Sequence, residues 1–104
     1  MHVKDNTVNI VDLAPQLVML LPVIDQIYHD EYNTELVITS GKDGIHKQGS
    51  LHYEGKAVDL RIWNIWDSLI ARLKKELGPD FDVVLEKDHI HLEWDPKHDK
   101  KIGK

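Results

Sequence analysis

Two short segments of this chain concentrate the side chains that can ligate a metal or carry a proton. The first runs Ser50-Leu51-His52-Tyr53-Glu54-Gly55-Lys56-Ala57-Val58-Asp59 and the second Glu86-Lys87-Asp88-His89-Ile90-His91-Leu92-Glu93. Imidazole nitrogen and carboxylate oxygen are both good zinc ligands, at about 2.0–2.2 Å. Gly55 lets the chain fold back between His52 and Asp59, and the small Gly55 and Ala57 allow backbone to pass close to a metal. In a strand, side chains at i and i+2 share a face. His89, His91 and Glu93 therefore point one way, and Ile90, Leu92 and Trp94 face the core. Taken alone, each segment reads as an ordinary solvated surface: a loop histidine beside a turn-capping aspartate, or a polar strand face. Together in one short chain they supply the parts of a hydrolytic centre. Three protein ligands and one water position make a catalytic zinc site. Zinc lowers the pKa of its water to about 7, and a nearby carboxylate can hand that proton to a leaving amine.

The surrounding pattern says what must position these residues. Residues 12–30 read as a helix, with Asp12 as cap, Pro15 early, and Leu17, Leu20, Leu21, Ile24 and Ile27 at helical spacing. Pro22 removes a backbone donor and kinks or restarts the helix there. Glu35–Thr39 alternates and reads as a strand. Residues 40–56 carry Gly41, Gly44, Gly49 and Gly55 without periodicity and read as a loop, long enough in a small domain to imply a function. Ala57–Trp63 is a second strand. Residues 64–77 form a second helix on the apolar face of Trp66, Leu69, Ile70, Leu73 and Leu77, ended by Gly78-Pro79. Phe81–Glu86 and His89–Trp94 are two strands joined by a tight turn at Lys87-Asp88. The polar tail starts at about residue 96. This order predicts an α+β fold with two principal helices on one face of a mainly antiparallel sheet.

Composition narrows the function classes. The 104 residues suit one domain, 1–104. The formal charge of −5 lacks the basic surplus of a nucleic-acid binder. Without cysteine there is no disulfide, thiolate nucleophile or cysteine metal site. Leu17–Ile24 contains Pro22 and falls far short of the ~20 residues of a membrane span. No secretory signal opens the chain, so synthesis in the cytoplasm is expected. Among the seven histidines, His2, His29 and His98 look incidental, and His46 reads first as a loop histidine, with a fourth ligand or a substrate contact as its other readings. Trp63, Trp66 and Trp94 read as core or rim packing.

Ser50-x-His52-x-x-Gly55-x-Ala57-x-Asp59, followed by Asp88-x-x-His91 within a His-x-His strand, resembles the D-Ala-D-Ala metallopeptidase family. That family comprises peptidoglycan D,D-carboxypeptidases, D-Ala-D-Ala dipeptidases and phage L-alanyl-D-glutamate endolysins. The segment His52 to Asp59 is also similar to the hedgehog signalling domain, which shares the fold. The resemblance covers roughly Ile38 to Asp95. It implies a small hedgehog/D,D-peptidase-like fold with one Zn2+ held by His52, Asp59 and His91. It places Asp88 where the family has its catalytic acid, with Glu86 as the rival base on the hedgehog-like pattern. His89 matches the first histidine of the His-x-His. Where many family members carry an arginine after Ser-Gly, this chain has Lys42, which offers charge without the bidentate fork. Arg61, on the strand face of Asp59, is the alternative, and Ser50 completes the substrate-binding candidates.

The resemblance thus implies zinc-dependent hydrolysis of a peptide bond in a peptidoglycan stem peptide or related D-amino-acid peptide, by a monomer acting at the bacterial cell wall. A phage or prophage origin would account for the missing signal. The alternative is a non-catalytic, zinc-stabilised hedgehog-like binding or structural module. Lys42 favours this alternative, and both acids beside His91 speak against it.

Overall fold

The computed structural model describes residues 1–43, 51–63 and 67–96. His46, Ser50, Trp66 and the tail from residue 97 lie outside them. Five strands form one sheet: β1 (His2–Val3), β2 (Val37–Ser40), β3 (Ala57–Arg61), β4 (Phe81–Leu85) and β5 (His89–Trp94), in the order β1-β2-β3-β5-β4. β1 runs parallel to β2, and every other pairing is antiparallel. The helices are α1 (Pro15–Val18), α2 (Leu21–Tyr32) and α3 (Asp67–Leu77), and Leu51–Glu54 forms a single 3-10 turn. The expected α+β architecture is the one observed, with a mixed sheet because of β1.

The register sorts side chains by face. Val58 stands opposite Leu92, and Leu92 opposite Val83; Leu60 stands opposite Ile90. All five are buried, in one cluster with Ile24, Ile27 and Tyr28 of α2 and Leu69, Leu73 and Leu77 of α3. Each such side chain contributes about 1.5–3 kcal/mol of transfer free energy when fully buried. The other face holds Asp59 opposite His91, Arg61 opposite His89, and Ala57 opposite Glu93. Between Ile38 and Ser40 the β2–β3 register shifts, so Ser40 rather than Thr39 faces Asp59. A bulge of this kind bends the strand and re-aims neighbouring side chains.

The helix expected over 12–30 is two helices. Asp12 is no cap: it takes a positive φ of 60° in the turn before α1, and Ala14 occupies the cap position with no side-chain bond. Pro15 opens α1. The chain turns at Met19 and Leu20, and α2 restarts with Pro22 in its first turn, where the missing donor costs nothing. Asn33 ends α2 in the left-handed conformation, its N–H bonded to the His29 carbonyl at 3.0 Å. Two bonds then tie α2 to the sheet: the Leu36 N–H donates to Asp25 Oδ1 at 2.9 Å, and the Tyr28 hydroxyl donates to the Arg61 carbonyl at 2.8 Å. Gly78 closes α3 at φ +83°.

Candidate metal centre

Three separate pieces of chain bring His52, Asp59 and His91 together. Asp59 and His91 are cross-strand partners on β3 and β5. His52 reaches them from the 3-10 turn, which Gly55 ends: its φ of +73° is open to glycine at little cost, and its N–H bonds to the His52 carbonyl at 3.1 Å. The Gly55 carbonyl in turn accepts from the Ala14 N–H at 2.8 Å. A Cβ on Gly55 would lie 2.6 Å from the Asp12 carbonyl oxygen. The segment before α1 thus clamps the turn that carries His52.

A second clamp fixes the His52 ring. Asp43 Oδ1 accepts from the N–H groups of Asn9 at 2.7 Å and Gly41 at 2.8 Å, and the Lys42 N–H donates to the Asn9 carbonyl at 2.7 Å. The two backbones cross so closely that a Cβ on Gly41 would meet the Asn9 oxygen at 2.2 Å. This holds the Gly41 carbonyl 2.8 Å from His52 Nδ1. A carbonyl only accepts, so Nδ1 carries the proton and the lone pair on Nε2 faces the cluster. Ligating histidines are typically oriented by such a bond from the far nitrogen. His52 is 2% exposed, the one buried histidine among the described residues.

The facing atoms form a nearly equilateral triangle. His52 Nε2 lies 3.1 Å from His91 Nδ1 and 3.2 Å from Asp59 Oδ1, and His91 Nδ1 lies 3.2 Å from Asp59 Oδ1. A tetrahedral ion with ligand bonds near 2.05 Å requires ligand–ligand separations of about 3.3 Å. Two imidazoles and a carboxylate at this spacing fit one zinc or similar divalent ion. Burial works to raise the Asp59 carboxyl, but hydrogen bonds to His52 and His91 outweigh it and hold the group well below the usual carboxylate range. The hydrogen bond to Asp59 pushes His91 up to about 9, against the opposing effect of burial and with help from Glu93. The metal-free cluster therefore keeps a proton where a cation would sit.

Around the triangle, His91 Nε2 lies 2.7 Å from Glu93 Oε1. His89 Nε2 lies 3.6 Å from Asp59 Oδ1, and its Nδ1 lies 2.7 Å from Asp88 Oδ1. That bond to His89 lowers the exposed Asp88 carboxyl. Glu86 is exposed, and its N–H closes the β4–β5 turn onto the His89 carbonyl at 2.9 Å. Arg61 shares the site face through its pairing with His89, and Lys42 sits in the turn next to Gly41. Trp63 lies away from the triangle against Tyr28 and Tyr32, with ring centroids 6.2 and 5.1 Å apart. Trp94 is half-buried under Lys56 at the end of β5, 5.8 Å from its Nζ. From the sequence Glu93 falls on the His91 face, and the structure adds its contact with Nε2. The i, i+2 spacing was the available signal.

No family model matches the chain. It is 39% identical over 69 residues to the Indian hedgehog B protein of Danio rerio, covering 61% of this chain and 16% of that protein. To the Indian hedgehog proteins of Gallus gallus and Xenopus laevis it is 40% identical over 70 residues, 62% of this chain and 17% of each relative. The chain thus spans about a sixth of the length of the curated relatives it matches. In a hedgehog-like α+β fold, His52, Asp59 and His91 make a cluster that can hold one metal ion.

Proposed function

We propose that this chain is a zinc-dependent peptidase of the D,D-carboxypeptidase or endopeptidase type, acting on peptidoglycan stem peptides. The observation that carries the reading is the triangle of His52 Nε2, Asp59 Oδ1 and His91 Nδ1, with a third histidine and its carboxylate beside it. Bound there, zinc would supply Lewis acidity, polarising a carbonyl and making water acidic at neutral pH. The chain's own residues supply the rest. Hydrolysis removes a proton from the attacking water and returns one to the leaving amine. His89 Nε2 faces the triangle, and Asp88 on Nδ1 fixes its tautomer and steadies the charged ring. In this arrangement Asp88 acts through His89. Glu86, in the turn, is the rival carboxylate. Lys42 and Arg61 would orient the peptide's carbonyl or carboxylate. Ser50, outside the described residues, remains a candidate contact from the sequence.

The second reading is a zinc-stabilised module without turnover, favoured by the identity shared with hedgehog proteins. One experiment separates the two: metal content of the purified protein, paired with product release from peptidoglycan with and without chelator. One zinc with chelator-sensitive cleavage supports the peptidase, and D88N should then lose turnover while keeping its metal, whereas E86Q keeps both. One zinc without cleavage of any wall peptide leaves the binding module. No zinc uptake would overturn both.

A further inference from the structure

We propose that Glu93 is a positioning residue of the metal centre, orienting His91 from the side opposite the ion. This rests on the reading of His52, Asp59 and His91 as metal ligands. Either nitrogen of an imidazole can bind a cation, and a histidine on a strand can rotate about its side-chain bonds to present one or the other. His52 is restricted by the Gly41 carbonyl. For His91 the corresponding partner is Glu93, whose Oε1 lies 2.7 Å from Nε2 while Nδ1 faces Asp59 and His52 at 3.2 and 3.1 Å. A carboxylate accepts only, so this contact keeps the proton on Nε2 and directs Nδ1 at the ion.

The placement follows from the strand. Glu93 is two residues from His91 on β5, so both side chains stand on the site face, and Glu93 is only 20% exposed. Its neighbours in the ladder give it no other charged partner of opposite sign. Ala57 stands opposite on β3 and Asp82 opposite on β4, the latter a like charge that costs stability at a directly paired position. A carboxylate at this point is thus poorly explained by the sheet and well explained by the ring it holds. The same bond also makes the ring more basic and so strengthens its grip on a cation.

The test is zinc affinity by competition with a chromophoric chelator for the wild-type chain, E93A and E93Q. It is joined by long-range 15N NMR of the zinc-loaded proteins, which reports the nitrogen of His91 that carries the metal. The wild type should bind zinc through Nδ1 of His91. E93A should bind about 10–100-fold more weakly, the usual effect of losing such a partner, with the Nδ1 assignment lost or mixed. E93Q keeps an oxygen acceptor without charge and should fall between, with Nδ1 retained. Zinc affinity in E93A equal to the wild type, with His91 still on Nδ1, would overturn the proposal and leave the metal centre standing. Should E93A fail to fold, unchanged affinity in E93Q overturns it in the same way. A wild type that takes up no zinc overturns the proposal and the centre together.

Discussion

Gly55 and Gly78 allow one backbone effect to be separated from another. Both have positive φ, +73° and +83°, but a Cβ on Gly55 would meet the Asp12 oxygen at 2.6 Å and the Leu13 Cα at 3.4 Å, whereas on Gly78 it meets nothing within 4 Å. G78A therefore incurs left-handed strain alone, about 1–2 kcal/mol. G55A incurs the same strain plus about 1–3 kcal/mol for forcing apart packed backbone. It also weakens the Ala14-to-Gly55 bond, worth about 1 kcal/mol net. The expected losses are about 1–2 kcal/mol for G78A and about 3–6 kcal/mol for G55A, against a typical total of about 5–15 kcal/mol. Urea unfolding of the metal-free proteins measures both. Because Gly55 ends the turn that carries His52, G55A should also weaken zinc binding at least several-fold, while G78A leaves it unchanged. Equal destabilisation by the two variants would refute the claim that the segment before α1 clamps the turn.

Ile90 is fully buried between the two histidines of β5, so I90A should cost about 2–5 kcal/mol by urea unfolding and loosen zinc binding as its neighbours shift. The metal-free protein should lose stability as pH rises from about 6.5 through about 9, because folded His91 holds a proton there that the unfolded chain has released. Thermal unfolding across that range should show Tm falling, while saturating zinc, which displaces that proton, should remove the dependence. H46A should retain zinc with unchanged affinity if the centre has three protein ligands; a drop of tenfold or more by chelator competition would make His46 a fourth.

The hairpin of β4 and β5 was legible because His89–Trp94 alternates strictly, and the same alternation separates Ile90 and Leu92 in the core from His89, His91 and Glu93 on the other face. The apolar face of α3 and its glycine end were legible for the same reason: periodicity over several turns. What periodicity could not show were the short or irregular pieces. β1 is two residues long and gains its place only by pairing with β2. The break at Met19 and Leu20 lies within a run of apolar residues whose helical spacing continues across it, and Pro22, read as a kink or restart, was its signal. Asp12 has the side chain of a cap, but its backbone turns left-handed to bring Ala14 onto Gly55. The crossing of Asn9 and Gly41 joins residues far apart in sequence, and with it comes a contact that fixes the His52 tautomer.

The arrangement around the triangle also bears on which reading of the centre is the stronger. A metal kept for stability alone contributes through binding to the folded state, about 4 kcal/mol at a free concentration a thousandfold above its dissociation constant. That role is best served by a closed set of four protein ligands. Among the described residues three converge, and the next group is a histidine whose nearer nitrogen stays 3.6 Å from Asp59 Oδ1 while its far nitrogen is held by Asp88. Neither contact adds a ligand, and Asp88 is 84% exposed, so the pair contributes little to stability. What an oriented, partly open imidazole beside an ion can do is take and return a proton. In the proposed peptidase, the carboxylate behind that imidazole would steady the ring as it takes and returns the proton.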